Sequence, residues 1–517
     1  MKNNMKAMKK LLLTTLVAFF SFCLSVSALA SSITIFGQVK DASSQKGVSG
    51  VVVSDGQQCV QTNHKGEYKI ISNSKKVFHV FIVTPSAYEV PVNENGIFNG
   101  YIHIDTSKKK NRCDFTLKKR DGECNRYIMC YMGDPQAMSQ RPHSVESCKY
   151  LCEKLRKFND ACTLPVYQTF LGDMVTNEIE VKGKAERFLN IMAGCGGKSF
   201  YIPGNHDHIQ NSKIYHEAIA PYAKHFGPYN YAVNIGQVHY IFLDNCAWGE
   251  SLSGKRFARG LNKEACTFLK EDLKFVPKDT PLMISMHCPM TRSYNGTFYK
   301  IEVGEEELFQ ALQDRDVHFW YGHTHSYTNY PYSRVSIDKR AKGLRSLESH
   351  TVGRCNGGWC CSSEITQDGV PRGLVQVDVD GKQISWHFLS FDENYPDDMN
   401  VYPPASFLDK NGNRDMHLYC NVYLWDSKCD KPEFWSDGKL VGKMERILSG
   451  KNATVEPLYA KLYPLWESQG IEGFRKEVPK DTQCTHLFGI VPGKEITSGE
   501  VRYTDRFGRK CIRKVSW

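Results

Sequence analysis

The stretch SFYIPGNHD, residues 199–207, joins a short apolar strand to a loop of chemically active side chains. Ser199 to Ile202 has the aromatic and β-branched composition that is typical of a buried strand. The loop Gly204-Asn205-His206-Asp207 supplies an amide, an imidazole and a carboxylate directly after it. A strand that ends in such a loop predicts a layered α/β domain with a site at the carboxyl edge of its sheet.

Four further predicted strands in this part of the chain end in the same way: Tyr127–Met132, Val166–Leu171, Leu282–Met286 and Val317–Tyr321. The loops at their ends are Gly133-Asp134-Pro135-Gln136, Gly172-Asp173-Met174, Met286-His287-Cys288 and Gly322-His323-Thr324-His325. The carboxyl ends of strands converge in an open α/β sheet, so these distant groups are expected to be neighbours. Carboxylates, an amide and imidazoles are ligands that suit Mn, Fe, Zn or Mg.

Helical patterns alternate with these strands, at Val145–Phe158, Ala185–Met192, Glu264–Leu273 and Glu305–Leu312. A single Gly-Asp pair after a strand is commonly only a turn, and a single buried histidine is commonly a core residue. The ordered set of five loops is different, because chance would have to place the same ligand types at five strand ends.

The order and residues of the five loops resemble the calcineurin-like metallophosphoesterase superfamily, whose pattern is D-x-H, G-D-x, G-N-H-D/E, H and G-H-x-H. The resemblance covers roughly Arg126 to Phe391 and implies an α/β fold with four layers, α/β/β/α, and a centre of two divalent metal ions. The resemblance implies that Asp173 bridges both ions. It also implies that one metal site is completed by Asp134, Gln136 and His325. The other site would be completed by Asn205, His287 and His323. His206 would lie off the metals and face the substrate.

Two divalent ions about 3.5 to 4 Å apart lower the pKa of a bridging water and hold phosphate oxygens for in-line attack. The predicted function is therefore hydrolysis of phosphate esters, as a phosphatase or a phosphodiesterase. His206 and Asp207 are the predicted acid-base pair, because a carboxylate near an imidazole orients it and favours its protonated form. The alternative for Asp207 is a loop cap.

Gln136 departs from the superfamily pattern, which has histidine at that position. An amide oxygen is a poorer donor to zinc than an imidazole, so the first metal would bind more weakly or prefer Mn or Mg. A hydrogen bond from Gln136 to a metal-bound water is an equally physical role.

A Gly-rich, aromatic loop follows the last metal motif, and its residues Arg354 and Trp359 are the candidate substrate contacts. The choice between monoester and diester depends on such loops rather than on the metal ligands. The rival function is a non-catalytic exported binding protein that uses β-rich flanking domains.

Both flanks of the predicted catalytic domain, residues 121–393, have strand patterns. Residues 31–120 predict a β-sandwich similar to the regulatory-like sandwiches of exported enzymes, with strands at Ile33–Val39, Val48–Ser54, Glu67–Ile71 and Val77–Thr84. Asn394 to about Asn413 is predicted to be a linker. Residues 394–517 predict a β-rich domain, with strands at His417–Trp425, Thr485–Val491 and Gly499–Tyr503. This three-part arrangement resembles exported bacterial members of the superfamily.

The first 30 residues have the pattern of a secretory signal peptide, with lysines before an apolar run and a small-residue site ending at Ala30. The apolar run is short for a membrane span, so a periplasmic or secreted chain without a transmembrane segment is predicted. Of a net charge of +10, four positive charges belong to that segment, and no long basic block remains. A dedicated nucleic-acid partner is therefore not expected. Of the 19 cysteines, all but Cys23 follow the signal, and several are predicted to pair in an oxidising compartment.

Overall fold

The structure is a computed structural model that describes residues 32–137, 144–176, 183–248, 257–290, 301–331, 342–356, 365–366, 368–406, 413–447 and 484–517, with two short strands at 293–294 and 297–298. The predicted signal peptide of residues 1–30 and the candidate substrate residue Trp359 lie outside these residues. None of the described helices is both long and apolar enough to cross a membrane.

Eight short strands form the amino-terminal part: β1 Ser32–Asp41, β2 Val52–Ser54, β3 Cys59–Gln61, β4 Glu67–Asn73, β5 His79–Val83, β6 Tyr101–His103, β7 Lys110–Arg112 and β8 Phe115–Leu117. One sheet has the order β4-β1-β7, with β8 also paired to β1, and the other has the order β3-β2-β5-β6. Alternate residues of β4 are buried, as in a strand with one solvent-facing side. Tyr68 and Ile70 of β4 join Val80 and Ile82 of β5 in one core, which is the arrangement of a β-sandwich.

The central part contains fifteen strands among the described residues: β9 Arg126–Met132, β10 Val166–Phe170, β11 Lys198–Tyr201, β12 Tyr231–Ile235, β13 Val238–Phe242, β14 Cys246–Ala247, β15 Ala258–Arg259, β16 Leu282–Ser285, β17 Ser293–Tyr294, β18 Thr297–Phe298, β19 Asp316–Tyr321, β20 Thr328–Pro331, β21 Ser346–Thr351, β22 Gly373–Asp380 and β23 Gln383–Ser390. Its described α-helices are α1 Ser144–Ala161, α2 Lys184–Met192, α3 Tyr215–Phe226, α4 Lys263–Asp272 and α5 Glu305–Ala311. The five ligand-bearing strands and four helices predicted from sequence are confirmed, with shifts of at most a few residues at their ends.

Two mixed sheets organise these strands, in the orders β11-β10-β9-β22-β23 and β12-β13-β16-β19-β21-β20. In the first sheet β9, β10 and β11 are parallel, and in the second β16 and β19 are parallel. The five loops of interest therefore leave each sheet at one edge. The sheets pack face to face, since the ring of Tyr131 on β9 stacks on Trp320 of β19 with centroids 4.1 Å apart.

Helix α1 shows why the chain folds locally as it does. Cys148, Leu151 and Leu155 recur at helical spacing and are fully buried, so one face of the helix is apolar. They share a core with Cys130 and Met132 of β9, which anchors the helix beside the strand that carries the first loop.

The carboxyl-terminal part has the strands β24 Met399–Tyr402, β25 Leu418–Val422, β26 Glu433–Ser436, β27 Lys439–Lys443, β28 Glu445–Arg446, β29 Leu487–Ile490, β30 Ser498–Thr504 and β31 Lys510–Ser516. They form two four-stranded sheets, β24-β25-β29-β28 and β27-β26-β30-β31. The predicted linker was wrong in part, because β24 lies within it and pairs antiparallel with β25. The buried side chain of Met399 drives this pairing despite the Pro, Asp and Asn residues around it.

Candidate functional site

The structure brings the five loops together into one group of side chains, which are buried except for the partly exposed His323. We call this group the ligand cluster: Asp134, Gln136, Asp173, Asn205, His287, His323 and His325. Three loops follow β9, β10 and β11 of the first sheet, and two follow β16 and β19 of the second. The cluster therefore lies where the carboxyl edges of the two sheets meet.

Asp173 is at the centre of the ligand cluster. Its side chain is only 1% exposed, and Oδ1 accepts a hydrogen bond of 2.8 Å from the backbone amide of His206. Its other oxygen, Oδ2, accepts from Gln136 Nε2 at 3.0 Å. His287 Nε2 lies 3.4 Å from Oδ1. Asp173 thus touches groups from three other loops.

Asn205, His287 and His323 converge on one another. Asn205 Oδ1 lies 3.1 Å from His287 Nε2 and 2.9 Å from His323 Nδ1, and the two ring nitrogens are 3.2 Å apart. The other ring nitrogen of His287, Nδ1, donates to the carbonyl of Leu171 at 2.7 Å. That bond fixes the orientation of the ring, so that Nε2 faces the cluster.

Asp134 and His325 form the remaining side of the cluster. Asp134 is fully buried, and its Oδ2 accepts from the backbone amide of His323 at 2.8 Å. Its Oδ1 makes no hydrogen bond and lies 3.4 Å from His325 Nε2. A buried carboxylate oxygen without a hydrogen bond is costly, and a cation would satisfy it.

The backbone is strained at the ligand cluster. Five of the nine described non-glycine residues with positive φ belong to it: Asp134 at 44°, Gln136 at 39°, Asp173 at 53°, His323 at 69° and His325 at 56°. Each such conformation costs about 1–3 kcal/mol and persists where the surroundings enforce it, often at functional sites. The strain therefore marks these loops independently of their side-chain chemistry.

Two glycines allow the loops to approach this closely. A Cβ at Gly172, which has a φ of 88°, would lie 2.5 Å from His287 Nδ1. A Cβ at Gly204 would lie 2.2 Å from Asp173 Oδ1. Any larger residue at either position would displace a candidate ligand.

Buried charges shift the pKa values of the cluster. Burial alone raises the pKa of Asp173, but the charges of His287 and His206 outweigh it and hold the pKa well below its usual range. Burial alone lowers the pKa of His287, whereas Asp173 raises it well above its usual value. Burial lowers the pKa of His325, and Asp134 only partly opposes this. The cluster is thus held together by opposite charges at close range.

The donor set fits divalent metal ions. The ligand atoms of Asp134, Asp173 and His287 lie within 4.8 Å of one another, and so do those of His287, Cys288 and His323. Carboxylate and amide oxygens with imidazole nitrogens are the donors that such ions take in proteins. Asp134 Oδ1, which is buried without a hydrogen bond, is available to such an ion.

Comparisons with known proteins bear on the family of the chain. Three family models match the chain in order: "N terminal of Calcineurin-like phosphoesterase" at residues 33–120, "Calcineurin-like phosphoesterase" at 132–327 and "C terminal of Calcineurin-like phosphoesterase" at 349–511. The chain belongs to the calcineurin-like phosphoesterases. It has their three-part form and is by family a phosphoric ester hydrolase, so the predicted superfamily and enzyme class are confirmed.

Solved structures similar to this calcineurin-like phosphoesterase include two described as 5'-nucleotidases. The Candida albicans enzyme is 11% identical with a TM-score of 0.31, and the match covers 53% of this chain and 54% of that one. The Thermus thermophilus precursor is 12% identical with a TM-score of 0.29, and the match covers 51% of this chain and 54% of that one. This chain thus spans about half the length of either structure. No curated protein matches the sequence.

His206 and Asp207 of this phosphoesterase lie on opposite sides of their loop. The side chain of His206 is 23% exposed, and its Nε2 lies 3.9 Å from Asp173 Oδ2. Asp207 is fully buried, and its Oδ2 accepts from the backbone amides of Gly204 at 2.8 Å and Met174 at 3.3 Å. Burial and the nearby charge of Asp173 raise the pKa of Asp207 to about 7. Such bonds to backbone amides are those expected of a loop cap, which was the alternative role for Asp207.

Arg354 is only 1% exposed and directs its guanidinium at the first loop. Its Nε donates to the carbonyl of Asp134 at 3.1 Å and its Nη2 to that of Pro135 at 3.4 Å. Asn356 Nδ2 also donates to the carbonyl of Pro135, at 2.6 Å. The described bonds of Arg354 therefore support the strained backbone of a ligand loop. Trp359, the other residue predicted to contact the substrate, lies outside the described residues.

Sequence reasoning missed two groups that support the ligand loops. Asn245 Oδ1 accepts from the amides of His287 and Cys288, at 3.0 and 2.9 Å. His208 is fully buried between the carbonyl of Gly204 and Asp244 Oδ2, each at 2.9 Å. The run His206-Asp207-His208 was a visible signal for His208, but its partner is 36 residues away in sequence.

Proposed function

We propose that this protein hydrolyses phosphate esters with two divalent metal ions held by the ligand cluster. The observation that carries the proposal is the convergence of seven side chains with ligand atoms from five strand ends; six of the seven are buried, and five have strained backbone. A structural cluster gains nothing from this strain, whereas a metal centre needs the loops in this geometry.

The proposed division of ligands follows the contacts of the cluster. Asp173 would lie between both ions, since its two oxygens face different neighbours, His287 on one side and Gln136 on the other. Asp134 and His325 would hold the first ion, with Gln136 as a direct or water-mediated partner. Asn205, His287 and His323 would hold the second. When bound, the two ions would supply an activated water and positive charge against the phosphate oxygens.

His206 is the proposed acid toward the leaving group. Its backbone amide is fixed by Asp173, while its ring is the partly exposed one at the edge of the cluster. A protonated ring there is placed to donate to the leaving oxygen or to stabilise charge on a phosphate oxygen. Asp207 would act by holding the loop that carries His206, through the amides of Gly204 and Met174.

Three further features belong to this proposal. Buried residues of α1 pack on the first sheet, and Phe268 of α4 and Leu308 of α5 share the core of the second, which supports the layer order α/β/β/α. The proposed domains are residues 31–120, 121–393 and 394–517. We also propose export to the periplasm or medium, with cleavage near Ala30.

The rival function is an exported binding protein whose central domain is only a scaffold. The ligand cluster disfavours it, because a scaffold would retain neither a buried oxygen of Asp134 without a hydrogen bond nor five strained residues at these loops. Removing such features would stabilise a protein that had no use for them.

Hydrolysis of p-nitrophenyl phosphate and bis-p-nitrophenyl phosphate by the metal-free chain, after addition of Mn, Fe, Zn or Mg, tests the proposal. The wild type should gain activity with metal and bind two ions per chain by elemental analysis. Asp173→Asn, which can keep the backbone conformation, should lose activity by about a hundredfold or more. Asp437→Asn is the control, because Asp437 also has positive φ, at 48°, but lies in an exposed turn.

Equal activity of the wild type and Asp173→Asn across both esters and all four metals would overturn the proposal. A panel of monoesters, nucleotides, cyclic nucleotides, glycerophosphodiesters and phosphopeptides then identifies the substrate class, including monoester against diester preference.

A further inference from the structure

Cys246 and Cys288 lie side by side beneath the ligand cluster. Cys246 is on β14, and Cys288 directly follows the candidate ligand His287. Both are fully buried, in a small core with Ala218 and Trp248. Their sulfur atoms are 3.7 Å apart. Among the sixteen cysteines that the structure describes, this is the one pair with its sulfurs in contact.

The side-chain amide of Asn245 holds this pair together. Asn245 is the residue before Cys246; its Oδ1 accepts from the backbone amide of Cys288 at 2.9 Å, and its Nδ2 donates to the carbonyl of Cys288 at 2.6 Å. Two buried hydrogen bonds thus fix the backbone of one cysteine beside the residue that precedes the other. The proximity of the two sulfurs is therefore a property of the fold and not of two mobile side chains.

We propose that Cys246 and Cys288 form a disulfide when the chain folds in an oxidising thiol pool. A small-molecule disulfide such as oxidised glutathione is the oxidant. Its S–S bond breaks as the protein S–S bond forms, so the two cysteine sulfurs lose two electrons, and two glutathione thiols leave with the two protons. The two sulfurs of a disulfide are about 2.05 Å apart. Starting from 3.7 Å, each sulfur must therefore move toward the other by about 1 Å or less.

The cross-link would join β14 to the loop that carries His287. It closes the chain between Cys246 and Cys288, a segment that includes α4 and β16. Because Cys288 is bonded to His287 through the backbone, the disulfide would restrain a candidate ligand of the second ion. The rival role for Cys288 is a thiolate ligand, since its sulfur also lies near His287 and His323.

Peptide mapping of the full chain tests the pairing without substrate. Protein is folded and incubated in glutathione buffers from fully reduced to fully oxidised, alkylated in denaturant, and digested with trypsin without reduction. The peptides His225–Lys255 and Asp279–Arg292 each contain one cysteine, Cys246 and Cys288 respectively. We expect a cross-linked pair of these peptides under oxidising conditions, and its loss on reduction.

Two variants sharpen the test. Cys246→Ala should abolish the cross-link, whereas Cys355→Ala, which removes another fully buried cysteine, should leave it intact. Oxidation should raise the melting temperature of the metal-free wild type by a few degrees and leave that of Cys246→Ala unchanged.

Complete alkylation of both peptides in every buffer would overturn the proposal. A sulfur-to-metal charge-transfer band in the cobalt-loaded wild type that vanishes in Cys288→Ala would also overturn it, in favour of a thiolate ligand. Neither result depends on hydrolysis, so the proposed function is tested separately.

Discussion

The ligand cluster and a second buried group, formed by residues of the central and carboxyl-terminal parts, contain the same kinds of side chain. The second group, which we call the junction cluster, consists of Asp368, Asn421, Cys484 and His486. All four are at most 4% exposed. Both clusters therefore bury carboxylate, amide and imidazole groups, but they differ in how these groups are satisfied.

In the junction cluster the hydrogen bonds are complementary. Asp368 Oδ2 accepts from the amide of Tyr327 at 2.5 Å and from His486 Nε2 at 3.2 Å. Asn421 Nδ2 donates to the carbonyl of Asp368 at 2.9 Å, which turns its Oδ1 toward His486 Nδ1 at 2.6 Å. Both ring nitrogens of His486 thus face acceptors, as in a doubly protonated imidazole. None of the four residues has positive φ.

The ligand cluster shows the opposite pattern. Ring nitrogens of His287 and His323 lie 3.2 Å apart, Asp134 Oδ1 has no hydrogen bond, and five of its residues have strained backbone. The difference teaches that residue types alone do not identify a site. A buried carboxylate oxygen without a hydrogen bond and a strained backbone distinguish a cluster built for a ligand from one built for stability.

The substitution expected to have the largest effect on activity, and so to test the difference between the two clusters most strongly, is at Asp134. Asp134→Asn keeps the acceptor for the amide of His323 and tolerates positive φ, but removes the charge of a ligand. We expect a loss in kcat/KM of about a thousandfold, equivalent to about 4 kcal/mol. The free energy of unfolding of the metal-free protein should stay unchanged or rise, because a buried carboxylate beside Asp173 has been neutralised. Ester hydrolysis and urea unfolding measure the two quantities, and a large loss of metal-free stability would contradict the comparison.

The matched change in the junction cluster should have the reverse outcome. Asp368→Asn leaves a buried imidazolium at His486 without its counterion, so the free energy of unfolding should fall by about 3 kcal/mol. Activity per folded molecule should fall far less than in Asp134→Asn. Urea unfolding followed by fluorescence measures the loss, with Asp437→Asn as an exposed control. A junction variant as inactive as Asp134→Asn at full stability would show that this cluster also serves catalysis.

The ligand cluster could be predicted because its chemistry is local in sequence: each ligand directly follows an apolar strand, and parallel strands bring their ends together. The junction cluster could not be predicted, because Asp368 and His486 are 118 residues apart and follow no shared pattern. Strands β22 and β23 were missed for a similar reason. β22 completes the first sheet by pairing with β9, more than two hundred residues earlier, and β23 pairs with β22 at the edge of that sheet.

The role of Asp207 shows the same limit within one loop. Its neighbour in sequence, His206, suggested an acid-base pair, but the nearest donors in space are the amides of Gly204 and Met174. The types of candidate ligand could be predicted from the order of residues in each loop. The hydrogen-bond partners of a supporting residue such as Asp207 could not, because they depend on how separate loops pack.

The pH dependence of stability is the next, smaller test of the comparison. Burial alone lowers the pKa of His486, but Cys484 and Asp368 raise it to about 10. His486 is then protonated in the folded protein, so its contribution to stability is complete below about pH 6.5 and is lost as the pH rises toward 10. The expected loss is at most about 1.4 kcal/mol per pH unit within that window. Urea midpoints between pH 6.5 and 8.5 should show this slope in the wild type and a smaller slope in His486→Gln.

The smallest expected effect concerns the one ligand position that departs from the superfamily pattern. Gln136 Nε2 donates to Asp173 Oδ2 at 3.0 Å, which leaves its amide oxygen as the only atom that can face an ion. Gln136→His would replace that oxygen by an imidazole nitrogen, a better donor to zinc than to manganese. We expect zinc affinity at the first ion to rise relative to manganese by about fivefold, or roughly 1 kcal/mol. Calorimetric titration of the metal-free protein with each ion measures the ratio, and Gln168→His, at another buried glutamine outside the ligand cluster, is the control. An unchanged ratio would mean that Gln136 acts on the ion only through Asp173 or a water, and the strain at this residue would then serve to hold the bridging carboxylate.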